Sequence, residues 1–289
     1  MLQLNIADIQ YTAFSECAEM PLSKAIELAC LCHAEMPVGL KELYEQYTKG
    51  DKDNKDIDNV LNKATDEDYI KNFPAFYGSV LQCLSNVPEE IIKKVTPGHR
   101  VEFYNKHLFK FVFGVLHFPI DIQHMNIEKF IHKKITYYLP KSKTVLGEIR
   151  PFADRPAIEF AESADLELFS KELAGGKWER AANIISIMCR PLVPRTKEEM
   201  LNSRLTQMKY HKALKGELEK IKKEDYWKLE PYNEDVCLKR AEQFLDLPMN
   251  IVWDVFFCLT QQCVLLKQNT LLSSLKETQN QLKQESAVA

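Results

Sequence analysis

Nine glycines are all that 289 residues contain, about half of the usual share of roughly 7%. A glycine-rich phosphate loop, a many-turned β-sandwich or a glycine-rich linker is hard to build from so few. Helices joined by short connections need almost none. Gly50, Gly98 and the Gly175-Gly176 pair each fall at a break between apolar-patterned segments. None stands in a phosphate-binding arrangement such as G-x-G-x-x-G or G-x-x-x-x-G-K-[ST]. An apolar fraction of 45% is enough for a sizeable core.

Charge narrows the partners. Thirty-eight Lys and Arg against 41 Asp and Glu leave a net charge of −3, so no global basic excess drives the chain onto nucleic acid or an anionic membrane. The N-terminal Met1–Thr12 stretch has neither the basic region nor the apolar run of a signal peptide. No stretch reaches the ~18 uninterrupted apolar residues of a membrane span. A soluble, cytosolic protein is expected, with no membrane contact. Cys17, Cys30, Cys32, Cys83, Cys189, Cys237, Cys258 and Cys263 are scattered among apolar neighbours and read as reduced thiols acting as small hydrophobes.

Apolar spacing predicts helices over Leu22–Ala34, Leu40–Tyr47, Phe76–Leu84, Glu89–Val95, Arg100–Leu116, Pro156–Ser170, Trp178–Cys189, Glu234–Leu245 and Asn250–Lys276. The run Asp51–Asp68, with seven acids against three lysines, reads as a solvated loop or a polar helix start. Ile131–Leu139 and Thr144–Ile149 are β-branched and flank the turn Pro140–Lys143, which predicts one hairpin near 131–149. Arg190–Arg195 reads as a proline-bounded connection. The expected fold is mainly α with one small β-hairpin, in two helical subdomains, 1–120 and 121–289.

Catalytic and metal patterns are weak. Cys30 and Cys32 are spaced C-x-C with no second pair, and on a helix they point about 200° apart, so they cannot share a metal. Asp51, Asp53, Asp56 and Asp58 fail the calcium-loop pattern, because Lys55, Asp56 and Asn62 stand at positions 5, 6 and 12. His99, His107, His117, His124 and His132 cluster loosely without an H-E-x-x-H pair. They leave open a histidine-lined enzyme site around 99–132. No cofactor and no metal are expected, and the chain is not read as an enzyme.

Two binding elements stand out. Arg195–Lys228 holds ten Lys and Arg against six Asp and Glu. Lys209, Lys212, Lys215, Lys222 and Lys223 are its candidates for nucleic-acid contact, with Tyr210 and Trp227 interleaved. The bland alternative is a solvent-facing helix laced with pairs such as Glu219–Lys223. The C-terminal helix is the other element, with candidate interface residues Val252, Trp253, Phe256, Leu259, Leu266 and Leu272. A terminal helix that is apolar on both sides either sits deep in the core or docks on a partner.

The later half carries a resemblance. Trp178–Pro191, a helix ending in Arg190-Pro191, is followed by Lys239–Asn250 with its Arg240-Ala241-Glu242-Gln243-Phe244-Leu245-Asp246-Leu247-Pro248, and then by the aromatic helix Val252–Leu266. This order resembles small tail-region or assembly proteins of tailed bacteriophages of Bacteroidetes. The resemblance implies a virion structural or tail-assembly protein working through protein–protein contact. Its implied partners are other phage structural or assembly proteins and further copies of itself, as in a ring. It also implies that Arg190 and Arg240 orient the adjoining helices. A packaged or ejected DNA-associated protein using the basic 195–228 segment is the second expectation.

Overall fold

The computed structural model describes residues 1–6, 8–49, 74–94, 110–116, 127–141, 143–145, 148–150, 178–196, 198–199, 227–262 and 264–265. The chain opens with a hairpin of β1 (Leu2–Ile6) and β2 (Ile9–Ala13), paired antiparallel from Leu2–Ala13 to Ile6–Ile9. Leu4, Ile6, Tyr11 and Ala13 are its buried residues, the period of two that a half-buried ribbon requires. The turn carries Asp8 at a φ of 61°.

Helix α1 (Leu22–Glu35) buries Leu22, Ala25, Leu28, Ala29 and Cys32, a stripe at helical spacing. It has no side-chain cap. Leu22 N–H donates to the Leu247 carbonyl and Ser23 N–H to that of Leu245, both at 2.8 Å. Two of the unpaired donors of a helix start are thereby satisfied from the far end of the chain. Met249 N–H returns a bond of 2.9 Å to the Met20 carbonyl. Helices α2 (Val38–Lys49), α3 (Pro74–Leu84), α4 (Glu89–Ile92) and α5 (110–116) follow. Pro88 sits immediately before α4, where its missing N–H costs nothing. The wholly buried Trp178 donates through Nε1 to the Val115 carbonyl at 2.5 Å, which ties α5 to the chain just before Ala181.

Two glycines inside these helices permit close approach. A Cβ on Gly114 would lie 3.2 Å from Cys17 Sγ and 3.3 Å from Cys17 Cβ. One on Gly78 would meet Ile92 Cγ2 at 3.3 Å. Gly50, Gly98 and Gly175-Gly176, the glycines that mark breaks in the sequence, lie outside the described residues.

The second half holds a four-stranded antiparallel sheet in the order β3 (Lys129–His132), β4 (Ile135–Tyr138), β7 (Arg190–Pro194), β8 (Trp227–Leu229). A separate hairpin pairs β5 (Lys143–Val145) with β6 (Glu148–Arg150). This corrects the expected single hairpin of Ile131–Leu139 against Thr144–Ile149. The chain turns earlier, at Lys133-Lys134, with φ of 46° and 68°. Two successive left-handed residues form a two-residue turn matched to strand twist. Lysines seldom adopt it, so no sequence signal announces it. Arg190–Pro194 is likewise a strand and not a connection. Its prolines are tolerated because β4 pairs with Arg190 and Pro191 only, and β8 with Leu192–Pro194 only.

Helices α6 (Ala181–Met188), α7 (Glu234–Phe244) and α8 (249–262) complete the described chain. Asn233 caps α7 by accepting from Val236 N–H at 3.0 Å. Helices dominate the described residues, which are mainly α. The buried apolar residues other than Cys237 form one connected cluster that runs from Leu4 to Leu259. No helix of the described residues is long and apolar enough to cross a membrane.

Candidate functional site

The segment Arg240–Pro248, which carries much of the resemblance, is the joint on which these elements meet. Apolar residues set it first. Phe244 is fully buried and its ring lies edge-on to Tyr137, Phe130 and His132, with centroids 4.9, 5.8 and 5.7 Å away. Phe130 and Tyr137 stack across the β3–β4 pair at 5.3 Å. Helix α7 is thereby seated on the sheet, where such aromatic contacts add to plain burial.

Polar groups then fix its orientation. The buried Arg240 donates to the Ser186 carbonyl at 3.1 Å, in the last turn of α6. It forms an ion pair with Glu230, just beyond β8, and its guanidinium lies 5.7 Å from the centre of the Tyr137 ring. One side chain therefore joins α6, α7, β4 and the exit of β8. Burial of the arginine end makes the geometry demanding, because a buried arginine must be compensated. Burial also raises the Tyr137 phenol and the Cys237 thiol above their usual pKa ranges.

The C-terminal end of α7 is tied just as closely. His132 donates through Nε2 to the Gln243 carbonyl at 3.0 Å. Lys133 pairs with Asp246 at 2.8 Å, and holds that carboxyl below its usual range through hydrogen bonding and charge. Cationic groups at a helix C-terminus also meet the negative end of its dipole. Leu245 and Leu247 accept from α1, as described above. The expectation that Arg240 orients adjoining helices thus has a physical form, while Arg190 is buried at the start of β7.

Other sequence candidates fall as follows. Val252, Trp253, Phe256 and Leu259 are buried in the chain's own core, at exposures of 5% or less, so intrachain packing takes up these four side chains. Leu266 and Leu272 lie outside the described residues. So do Lys209, Lys212, Lys215, Lys222 and Lys223, and also His99, His107, His117 and His124. His132 is engaged at the joint. Cys32 is buried and Cys30 exposed, on the opposed directions that helical spacing demands. Among the described residues no group of three or more His, Cys, Asp or Glu could hold a metal.

Three partners at this centre escaped the sequence reading: Ser186, Glu230 and Tyr137. Glu230 stands in a polar run with no pattern to distinguish it, and Ser186 contributes a carbonyl that any residue would supply. Thr196-x-x-Glu199 forms a reciprocal capping box, with Glu199 N–H donating to Thr196 Oγ1 at 3.2 Å and Thr196 N–H to Glu199 Oε2 at 3.0 Å. Glu199 also pairs with Lys228 on β8. No family model, no curated protein and no solved structure matches the chain.

Proposed function

We propose that the chain is a virion structural or tail-assembly protein of a tailed bacteriophage, non-enzymatic and working through protein–protein contacts. One observation carries the reading. The two stretches with the phage resemblance, 178–191 and 239–250, are folded against each other through the Arg240–Ser186 bond, and the motif's polar side chains Arg240 and Asp246 are engaged in intrachain ties. A motif used this way shapes a scaffold, and its working parts are then outer surfaces. The parts 1–120 and 121–289 act in this role as one unit, tied by the bonds between Met20–Ser23 and Leu245–Met249. The genes beside this one test the reading. Portal, tape-measure or tube genes are expected there, and a neighbourhood of metabolic genes would overturn it.

A DNA-associated role is the second reading, favoured by one observation. Pro194 pairs with Trp227, which brings together the two described ends of the basic segment that holds Lys209, Lys212, Lys215, Lys222 and Lys223 in sequence. Binding to duplex DNA that weakens steeply with added salt would support it. Salt-independent or absent binding would dismiss it.

A further inference from the structure

Two exposed patches on this chain are complementary in shape of charge and in apolar content. The first is the tip of the β3–β4 hairpin. Ile131 is 66% exposed and Ile135 44% exposed. They lie on opposite faces of the ribbon, since side chains alternate and Ile131 pairs with Thr136 while Ile135 pairs with His132. Lysines surround them. Lys133 is taken by Asp246 and Lys141 by Glu128, but Lys129 and Lys134 have no ion partner among the described residues. The stretch 127–141 has four lysines against Glu128, a net +3 in a chain of −3, so the remainder carries −6.

The second patch is the outer face of α7. Its inner face buries Cys237, Arg240, Ala241 and Phe244. Beside that buried stripe, roughly 100° round the helix from Cys237, stands Leu238, 52% exposed. Glu234, Asp235 and Glu242, at i−4, i−3 and i+4, share its face. All three are exposed and have no ion partner among the described residues. With Lys239 also exposed on this outer face, the patch is an aliphatic side chain flanked by three carboxylates against one lysine, a net negative surface that a lysine-flanked isoleucine tip complements.

We infer that the chain associates with a second copy of itself, the β3–β4 hairpin tip of one copy seated on the Leu238 face of α7 of the other. The occupant is fixed by charge complementarity, because both halves of the contact occur on one chain. The two patches flank the same joint, so each copy gives its tip and receives its neighbour's, the self-complementary arrangement of a two-fold dimer. Opposed rim charges set partner and register, and the apolar centre supplies the water exclusion. The contact stands on surface chemistry alone and does not depend on the phage reading.

Sedimentation velocity of the full chain over a wide concentration range, at low and at high salt, tests it. The wild type is expected to dimerise, more weakly at high salt. Lys129→Glu with Lys134→Glu, and separately Asp235→Lys with Glu242→Lys, are expected to weaken association by about tenfold or more. Mixing the two variants restores it, because each acidic tip then meets a basic helix face and each basic tip an acidic one. A wild type that stays monomeric at every concentration overturns the inference. So do variants that associate like the wild type, or a mixture that stays dissociated.

Discussion

Arg240 reaches from α7 to the carbonyl of Ser186 at the end of α6, 3.1 Å away, and pairs with Glu230 on its other side. The Arg240 side chain is 7% exposed and that of Glu230 is 23% exposed. The two ends of the pair therefore differ in what removal leaves behind. Glu230→Gln strands a buried cation and is expected to cost about 3 kcal/mol. Arg240→Met leaves a carboxylate that water can still reach, and is expected to cost less. Urea unfolding of the two variants checks the order, and the reverse order would place the burial elsewhere.

Gly114 and Gly78 make a second pair of contrasts. Gly114→Ala drives a methyl into the Cys17 side chain, at 3.2 Å and 3.3 Å, and is expected to destabilise by about 1 kcal/mol or more through overpacking. Gly78→Ala meets one atom, the Cγ2 methyl of Ile92 at 3.3 Å, in the single turn of α4. The helix-propensity gain of about 1 kcal/mol then offsets the crowding, and the variant should be near neutral. Thermal unfolding of both reads the difference.

The left-handed turn at Lys133-Lys134 stores strain that glycine would relieve. Lys134→Gly is expected to raise stability by up to about 1 kcal/mol, while Lys133→Gly gains less because it also removes the bond to Asp246. Chemical denaturation of each variant is the check. Equal effects would mean that the Asp246 pair contributes nothing.

Acid should release the same pair. The Asp246 carboxyl is held below its ordinary value, first by its hydrogen bond with Lys133 and then by that charge. A depressed carboxyl contributes stability above its unfolded pKa of about 4, and loses it as pH falls through the lower folded value. The unfolding midpoint of Asp246→Asn should therefore lie below that of the wild type at neutral pH and converge on it in acid. A gap that persists at low pH would contradict the assignment.

Thiol chemistry separates buried from exposed cysteines. Burial raises Cys83 to about 12, so it should resist alkylation in the native state. Cys30 is exposed and raised, first by partial burial and then by Glu179. It should react first among the described cysteines, and faster still in Glu179→Gln. Mass spectrometry of timed alkylation gives the order.

Much of the helical half was legible because its signals are local. Leu22–Glu35 and Pro74–Leu84 bury their apolar residues at the spacing that named them, and Pro88 marked the start of Glu89–Ile92. The sheet was not legible, and the reasons are specific. Lys133-Lys134 makes a turn that normally asks for Asn-Gly, Arg190–Pro194 is a strand containing two prolines, and Trp227–Leu229 pairs with a partner more than 30 residues earlier. Strand existence there depends on non-local pairing. At the candidate site Arg240 and Phe244 could be named from the motif in the sequence. The Tyr137, Glu230 and Ser186 contacts could not, because no pattern links residue 240 to any of them.

The most direct test of a contact-based assembly role is affinity purification of the full chain, expressed from its own locus while particles assemble, followed by mass spectrometry of what comes with it. Recovery in stoichiometric amount with portal, tube or tape-measure proteins is the expected result. Recovery without any particle component, throughout assembly, would contradict it.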